Sequence, residues 1–255
     1  MTLRICILEA DDLHPTMQDA FIGFGQMFKQ LFRTQDISVD CQVFNVVKGD
    51  YPDDSQHFDA YLVTGSKADS FGNDPWIVTL RAYLHKLFVQ GDVLLGICFG
   101  HQILALVLGG DTQRSSKGWG IGVHSYDLHK PQWLGDAPEQ FQLLISHRDQ
   151  VVALPHKAKV LASSEFCEYA AFTIGQQVLC FQGHPEFTPE FSAALLRIRE
   201  SIYCPQQYQK ACQSLKQRHD GQVVAQWMLS FIRMAQSARI AEPSIVQASE
   251  AVCSA

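Results

Sequence analysis

The run Gly96-Ile97-Cys98-Phe99-Gly100-His101-Gln102 limits this chain more sharply than any other feature. Apolar residues 93–97 read as a strand, residues 103–108 read as a helical stretch, and the thiol of Cys98 stands at the turn between them. Gly-x-Cys-x-Gly is the cysteine form of a nucleophile elbow, in which glycines permit a strained turn and let neighbouring backbone approach closely. A helix start beside the sulfur favours negative charge there, because its peptide dipoles align and its first N–H groups lack partners. Most cysteines are small buried hydrophobes without chemistry. The flanking glycines and the switch from strand to helix make Cys98 a candidate nucleophile instead.

Around this turn the first half of the chain alternates between two periodicities. Residues 3–9, 37–46, 60–64 and 93–97 are strand-like, and residues 21–32 place Phe21, Phe24, Phe28, Leu31 and Phe32 at helical spacing. Asp74-Pro75 opens a second helix, with Asp as a cap and Pro suited to the first turn. Ile77, Leu80, Tyr83, Leu84 and Leu87 form its apolar face. Such βαβ alternation predicts a mainly parallel sheet with helices on both faces, and right-handed crossovers bring the loops after the strands to one edge. After Gly110 the pattern changes. Residues 120–128, 141–146, 159–163, 170–174 and 178–181 are short strands, with Gly175-Gln176-Gln177 as a hairpin loop. Helical patterns resume at 189–202 and 222–235. The expected fold class is therefore α/β and three-layered: a mainly parallel central sheet, flanking helices and a small antiparallel extension. Residues 1–236 read as a single domain and residues 237–255 as a flexible tail.

A thiol nucleophile needs a base, and the base needs an orienting partner. Phe181-Gln182-Gly183-His184-Pro185-Glu186-Phe187 supplies both directly after a predicted strand. His184 would accept the thiol proton, and Glu186 would bind the other ring nitrogen and fix its tautomer. Alone, His184 reads as a structural or surface histidine, Glu186 as a solvated acid at a helix start, and Gly65 as a turn glycine. With the elbow upstream, Gly65 and Phe99 become the expected backbone donors of an oxyanion hole.

Composition narrows the function classes. The net charge of −6 over 255 residues, without a basic stripe, argues against a nucleic-acid partner. Eight cysteines include no CxxC pair and no Cys/His cluster with zinc spacing, so neither a metal nor any cofactor is expected. They read as free thiols of a reducing, cytoplasmic compartment. The chain opens directly on a strand-like run rather than a signal-peptide layout, and no apolar run approaches membrane-spanning length, so no membrane association is expected.

Four motifs in order carry a resemblance: Thr64-Gly65-Ser66, Gly96–Gln102, Ser146-His147-Arg148-Asp149-Gln150-Val151 and Gly183-His184-Pro185-Glu186. Together they make residues 3–202 resemble the class I, triad-type glutamine amidotransferases, particularly stand-alone domains related to the glutaminase part of GMP synthase. Gly65–Phe71 together with Asp74-Pro75-Trp76 is also similar to the plant γ-glutamyl peptidases. The resemblance implies a Cys98–His184–Glu186 triad that hydrolyses the γ-glutamyl amide of glutamine through a thioester. It also implies that Gln102 and the backbone around Ser146, His147 and Arg148 hold the substrate's amino and carboxylate groups. Two positions depart from the GMP synthase relatives: Arg148 stands where they usually carry glycine, and Thr64-Gly65-Ser66 replaces a frequent Gly-Gly-Pro. Only about fifty residues follow Tyr203, without a phosphate-binding glycine loop. Three readings follow: a glutaminase supplying ammonia to a separate synthetase subunit, a hydrolase of γ-glutamyl peptides or conjugates, or a catalytically idle binding module.

Overall fold

Strand β1 (Leu3–Glu9) shows how the core is divided. Leu3, Ile5 and Ile7 enter one apolar layer, and Cys6 and Leu8 enter the other. That alternation belongs to a strand covered on both faces. The computed structural model describes residues 2–241. Its other strands are β2 (Val39–Asn45), β3 (Ala60–Val63), β4 (Leu94–Ile97), β5 (Asp111–Arg114), β6 (Gly120–Leu128), β7 (Gln140–His147), β8 (Asp149–Ala153), β9 (Ala158–Ser163), β10 (Ala171–Ile174) and β11 (Val178–Phe181). Nine of them form one sheet in the order β2-β1-β3-β4-β11-β10-β9-β6-β7. From β2 to β11 the neighbours are parallel, and from β11 to β7 they are antiparallel. The antiparallel extension thus prolongs the same sheet, and β5 and β8 pair separately.

Seven α-helices complete the described residues: α1 (Pro15–Phe21), α2 (Phe24–Arg33), α3 (Pro75–Val89), α4 (Phe99–Val107), α5 (Pro189–Ile198), α6 (Pro205–Ser214) and α7 (Gly221–Ala241). Phe28, Leu31 and Phe32 of α2 and Val224, Met228, Phe231 and Ile232 of α7 close one apolar layer. Leu80 and Leu84 of α3 and Ile103 and Leu104 of α4 close the other. Each such side chain, fully removed from water, stabilises the fold by about 1.5–3 kcal/mol. The three-layer α/β expectation matches this architecture.

Several boundaries differ from the sequence reading. The helix expected at 21–32 is two helices, because Ile22 takes φ 64° and Gly23 an extended φ of −176°. The Glu9 carboxylate then accepts the Gly25 N–H at 2.8 Å in the first turn of α2. Asp74 does precede α3, but its side chain makes no capping hydrogen bond; its backbone carbonyl accepts from Ile77 (2.9 Å) and Val78 (3.1 Å) instead. The helix expected at 189–202 ends at Ile198 and continues as a short 3-10 turn over residues 200–202. At the other end α7 runs to Ala241, so the first residues of the expected tail are helical. The rest of that tail, 242–255, lies outside the described residues.

Candidate active site

β4 lies between β3 and β11 in parallel register, with Val63 opposite Gly96 and Ile97 opposite Phe181. The segments that follow these strands therefore leave the sheet at one edge, and they carry Gly65, Cys98 and His184. Cys98 takes φ 53° and ψ −100°, a region that L-residues rarely occupy and that costs on the order of 1–3 kcal/mol. Close packing holds it there. Its N–H donates to the Phe181 carbonyl at 2.9 Å, and its carbonyl accepts from Gln102 at 3.0 Å. A Cβ on Gly96 would lie 2.6 Å from the Gly100 carbonyl, and one on Gly100 would lie 2.2 Å from the Val63 carbonyl oxygen. Only hydrogen fits at both positions, so the two glycines of the motif let strand, turn and helix interlock.

His184 is fixed from its backbone outward. Its N–H donates to the Leu144 carbonyl at 2.9 Å, linking the turn after β11 to β7. Its Nδ1 is 2.7 Å from Glu186 Oε1, with both side chains buried. The ring lies beside the Cys98 side chain: a Cβ built on Gly65 would approach both residues. Burial works against a charged imidazole here, but the Glu186 carboxylate and the neighbouring Cys98 outweigh it and hold the His184 pKa up to about 10. Two other buried histidines provide the contrast. Burial pulls both His101 and His147 down to about 3, so these rings are neutral. The carboxylate partner separates the one charged imidazole from the neutral ones.

Gly65 lies against this pair: a Cβ there would sit 2.7 Å from His184 Cε1 and 3.7 Å from Cys98 Cβ. The buried Thr64 hydroxyl accepts the Ala10 N–H at 3.0 Å and donates to the Gly65 carbonyl at 3.1 Å, which sets the orientation of this loop. Phe99 opens α4, so its N–H is one of the first-turn donors that no intrahelical carbonyl reaches. Gly65 and Phe99 thus flank the sulfur from two elements.

Cys98 opens into a cavity of about 200 Å³ that Gln102, Ser146, His147 and Arg148 also line. The Gln102 Nε2 donates to the Asp149 carbonyl at 2.8 Å and to Gln182 Oε1 at 3.1 Å, so this side chain braces the cavity wall. Ser146 Oγ accepts from Arg199 Nη1 at 3.1 Å. Arg148 is exposed on the same wall. The structure adds Arg114, Trp119 and Arg199, which lie outside every quoted motif, and gives a place on the wall to Asp69 and Asp149, which the quoted segments contained without a role. Arg114 ties β5 to two segments, through Nη2 to Asp69 Oδ1 at 2.6 Å and through Nε to Asp149 Oδ1 at 3.1 Å. Arg199 lies over the Trp119 ring, 5.8 Å from its centroid. These side chains come from distant elements and share no spacing, so only the fold brings them together.

Comparison with known proteins gives the family. The family model described as glutamine amidotransferase class-I matches residues 18–197, a span that includes Gly65, Cys98, Gln102, His184 and Glu186. The chain is 32% identical to gamma-glutamyl peptidase 2 of Arabidopsis thaliana over 206 residues, which is 78% of this chain and 81% of that protein. It is 34% identical to GMP synthase [glutamine-hydrolyzing] of Macrococcus caseolyticus over 124 residues, 47% of this chain and 24% of that protein. A glutamine amidotransferase of Thermotoga maritima has the same fold, with a TM-score of 0.69, 19% identity, and coverage of 92% of this chain and 99% of that one. An interlocked cysteine elbow, a carboxylate-bound imidazole beside it and a family match over most of the chain converge: this protein belongs to the class-I glutamine amidotransferase family.

Proposed function

We propose that this chain is a thiol-dependent hydrolase of γ-glutamyl amide bonds, with Cys98, His184 and Glu186 as its catalytic triad. The observation that carries the reading is the buried succession of Glu186, His184 and Cys98, of which Cys98 lines the cavity. The Cys98 thiolate attacks the side-chain carbonyl carbon, and the carbonyl oxygen takes up negative charge facing the Gly65 and Phe99 amides. Removing one such donor typically costs about 3 kcal/mol of transition-state stabilisation. The imidazolium then protonates the departing nitrogen, leaving a γ-glutamyl thioester on Cys98. Water, deprotonated by the now neutral His184, attacks the thioester carbonyl, and collapse releases glutamate and restores the thiolate–imidazolium pair. Gln102 and the wall formed by Ser146, His147 and Arg148 would hold the amino and carboxylate groups of the glutamyl moiety.

Among γ-glutamyl compounds, peptides or conjugates are the preferred substrates in this reading. The relatives named gamma-glutamyl peptidases match over 65–78% of this chain and 68–81% of their own lengths, and the wall carries exposed Arg148 and also Arg199, cations suited to a second carboxylate. Free glutamine, with its ammonia handed to a separate synthetase subunit, is the second reading, favoured by the likeness to GMP synthase. The intact constellation of thiol, imidazole and carboxylate speaks against an idle binding module. A reducing, cytoplasmic setting suits a free thiol nucleophile; among the described residues no helix is long and apolar enough to cross a membrane.

Measuring kcat/KM under reducing conditions for a γ-glutamyl dipeptide, glutamine and the matching α-linked dipeptide tests the proposal. The γ-linked dipeptide should exceed glutamine by about tenfold or more, and the α-linked isomer should be inert. A preference for glutamine would favour the ammonia-supplying reading. Failure to cleave either γ-glutamyl compound would overturn both.

A further inference from the structure

The side chain immediately after the orienting carboxylate has a relation to the imidazole that the triad chemistry does not use. The Phe187 ring lies face to face with the His184 ring, with centroids 3.7 Å apart and planes 13° from parallel. Phe187 is 3% exposed and is itself wedged in place. Phe191 of α5 packs at 4.5 Å and Phe24 of α2 at 6.4 Å. The His184 backbone bond to Leu144 fixes where the ring starts, and Glu186 fixes one nitrogen. These two contacts leave the ring free to swing about the Nδ1 to carboxylate axis, which would carry its other nitrogen away from Cys98. A parallel aromatic face, held from behind by two helices, removes that freedom. The face of a benzene ring is also electron-rich and attracts a cation lying over it.

Resting on the triad assignment above, we infer that Phe187 is a positioning residue: it holds the plane of the His184 imidazole toward Cys98 and favours the protonated ring. The ionisable groups that face His184 are Glu186 on its own segment, Cys98 from the elbow and, more distantly, the neutral His147 of β7. Phe187 adds no charge, so its influence differs from theirs and is separable by substitution. It also places the aromatic cluster of α2 and α5 in the chain of contacts that supports catalysis, rather than leaving it as packing alone.

The test compares Phe187→Leu with a series in which Phe187 is replaced by increasingly fluorinated phenylalanines, in the full-length protein. Each variant is assayed with a γ-glutamyl dipeptide across pH, and folding is checked by thermal denaturation. Phe187→Leu keeps an apolar filling but loses the flat face. It should lower kcat about tenfold or more while KM stays within about twofold. Its alkaline limb should move down by about one pH unit. Fluorination keeps the flat shape while emptying the ring face of charge, so the alkaline limb should fall stepwise along the series. An alkaline limb unmoved in every folded variant would overturn the inference. So would a loss in Phe187→Leu that only tracks the fraction unfolded, with the fluorinated series unchanged. Failure of the triad assignment reads differently: wild-type activity would then survive loss of the Cys98 thiol.

Discussion

The two sides of the cavity differ in how they hold their residues. On the parallel side, backbone packing fixes the turns. Cys98 is locked at positive φ, Gly96 and Gly100 admit no side chain, and Gly65 presses on the His184 ring. Across the cavity, long polar side chains from the separate β5–β8 pair, the β7–β8 turn and the end of α5 form the wall: Arg114 between Asp69 and Asp149, Arg199 on Ser146, and Arg148 in solvent. The first arrangement tolerates almost no change and suits chemistry that needs fixed distances. The second can be altered one side chain at a time and suits discrimination among substrates. In the proposed mechanism the site thus separates reaction from selection along a structural seam.

Substitutions on either side of the seam should differ in size and in kind. Cys98→Ala should abolish turnover, by at least about 10⁴-fold, and leave the melting temperature close to that of the parent. Glu186→Gln removes the charge that raises His184 and should reduce turnover on the order of 10³-fold. The sign of its pH effect follows from the same charge. In the proposed mechanism the imidazolium acts as the acid, and its pKa of about 10 stands above the ordinary 6.5, so wild-type activity should persist well above neutral pH and fall as His184 deprotonates. In Glu186→Gln the alkaline limb should move to lower pH; an unmoved limb in a pH–rate profile would show that His184 is not the acid. Stability follows the same sense, because a raised pKa contributes stability that is complete below about 6.5 and lost as pH rises toward about 10. Melting curves of His184→Ala should lack that slope.

Smaller effects are expected further out. Gly100→Ala drives a methyl group into the Val63 carbonyl and should destabilise the fold by about 1–3 kcal/mol, measured by urea denaturation, with activity falling alongside. Arg148→Gly should leave stability within about 0.5 kcal/mol and change kcat for glutamine only a few-fold, while lowering the preference for γ-glutamyl dipeptides. A specificity profile unchanged in Arg148→Gly would mean that this cation does not meet substrate.

What could be read in the sequence follows the same division. The elbow, the Gly183–Glu186 turn and the Thr64-Gly65 loop are local: each is a short string directly after an apolar strand, so its place at the strand ends follows from βαβ topology. The alternating layers of β1, β3 and β4 were legible for the same reason. Of the cation wall only Arg148 was, because it lies inside the Ser146–Val151 motif; Arg114 and Arg199 lie on two other segments that no motif marks. β5 and β8 were missed as a pair because both are short and β5 consists of polar residues alone. α6 was missed because Ala211 is its only buried residue, so no apolar stripe marks it. The break at Ile22 and Gly23 escaped notice because the phenylalanine spacing on either side continues the helical period.

One experiment addresses the nucleophile directly: treatment with a glutamine analogue that carries an electrophilic carbon at the side-chain carbonyl, followed by peptide mass spectrometry of every cysteine. Cys98 is only 5% exposed, whereas Cys204 is exposed, so unspecific alkylation would favour Cys204. The account predicts one label per chain, on Cys98, appearing in step with loss of hydrolysis and slowed by a γ-glutamyl dipeptide. Loss of activity with Cys98 unmodified, or labels spread over the accessible thiols at equal rates, would contradict it.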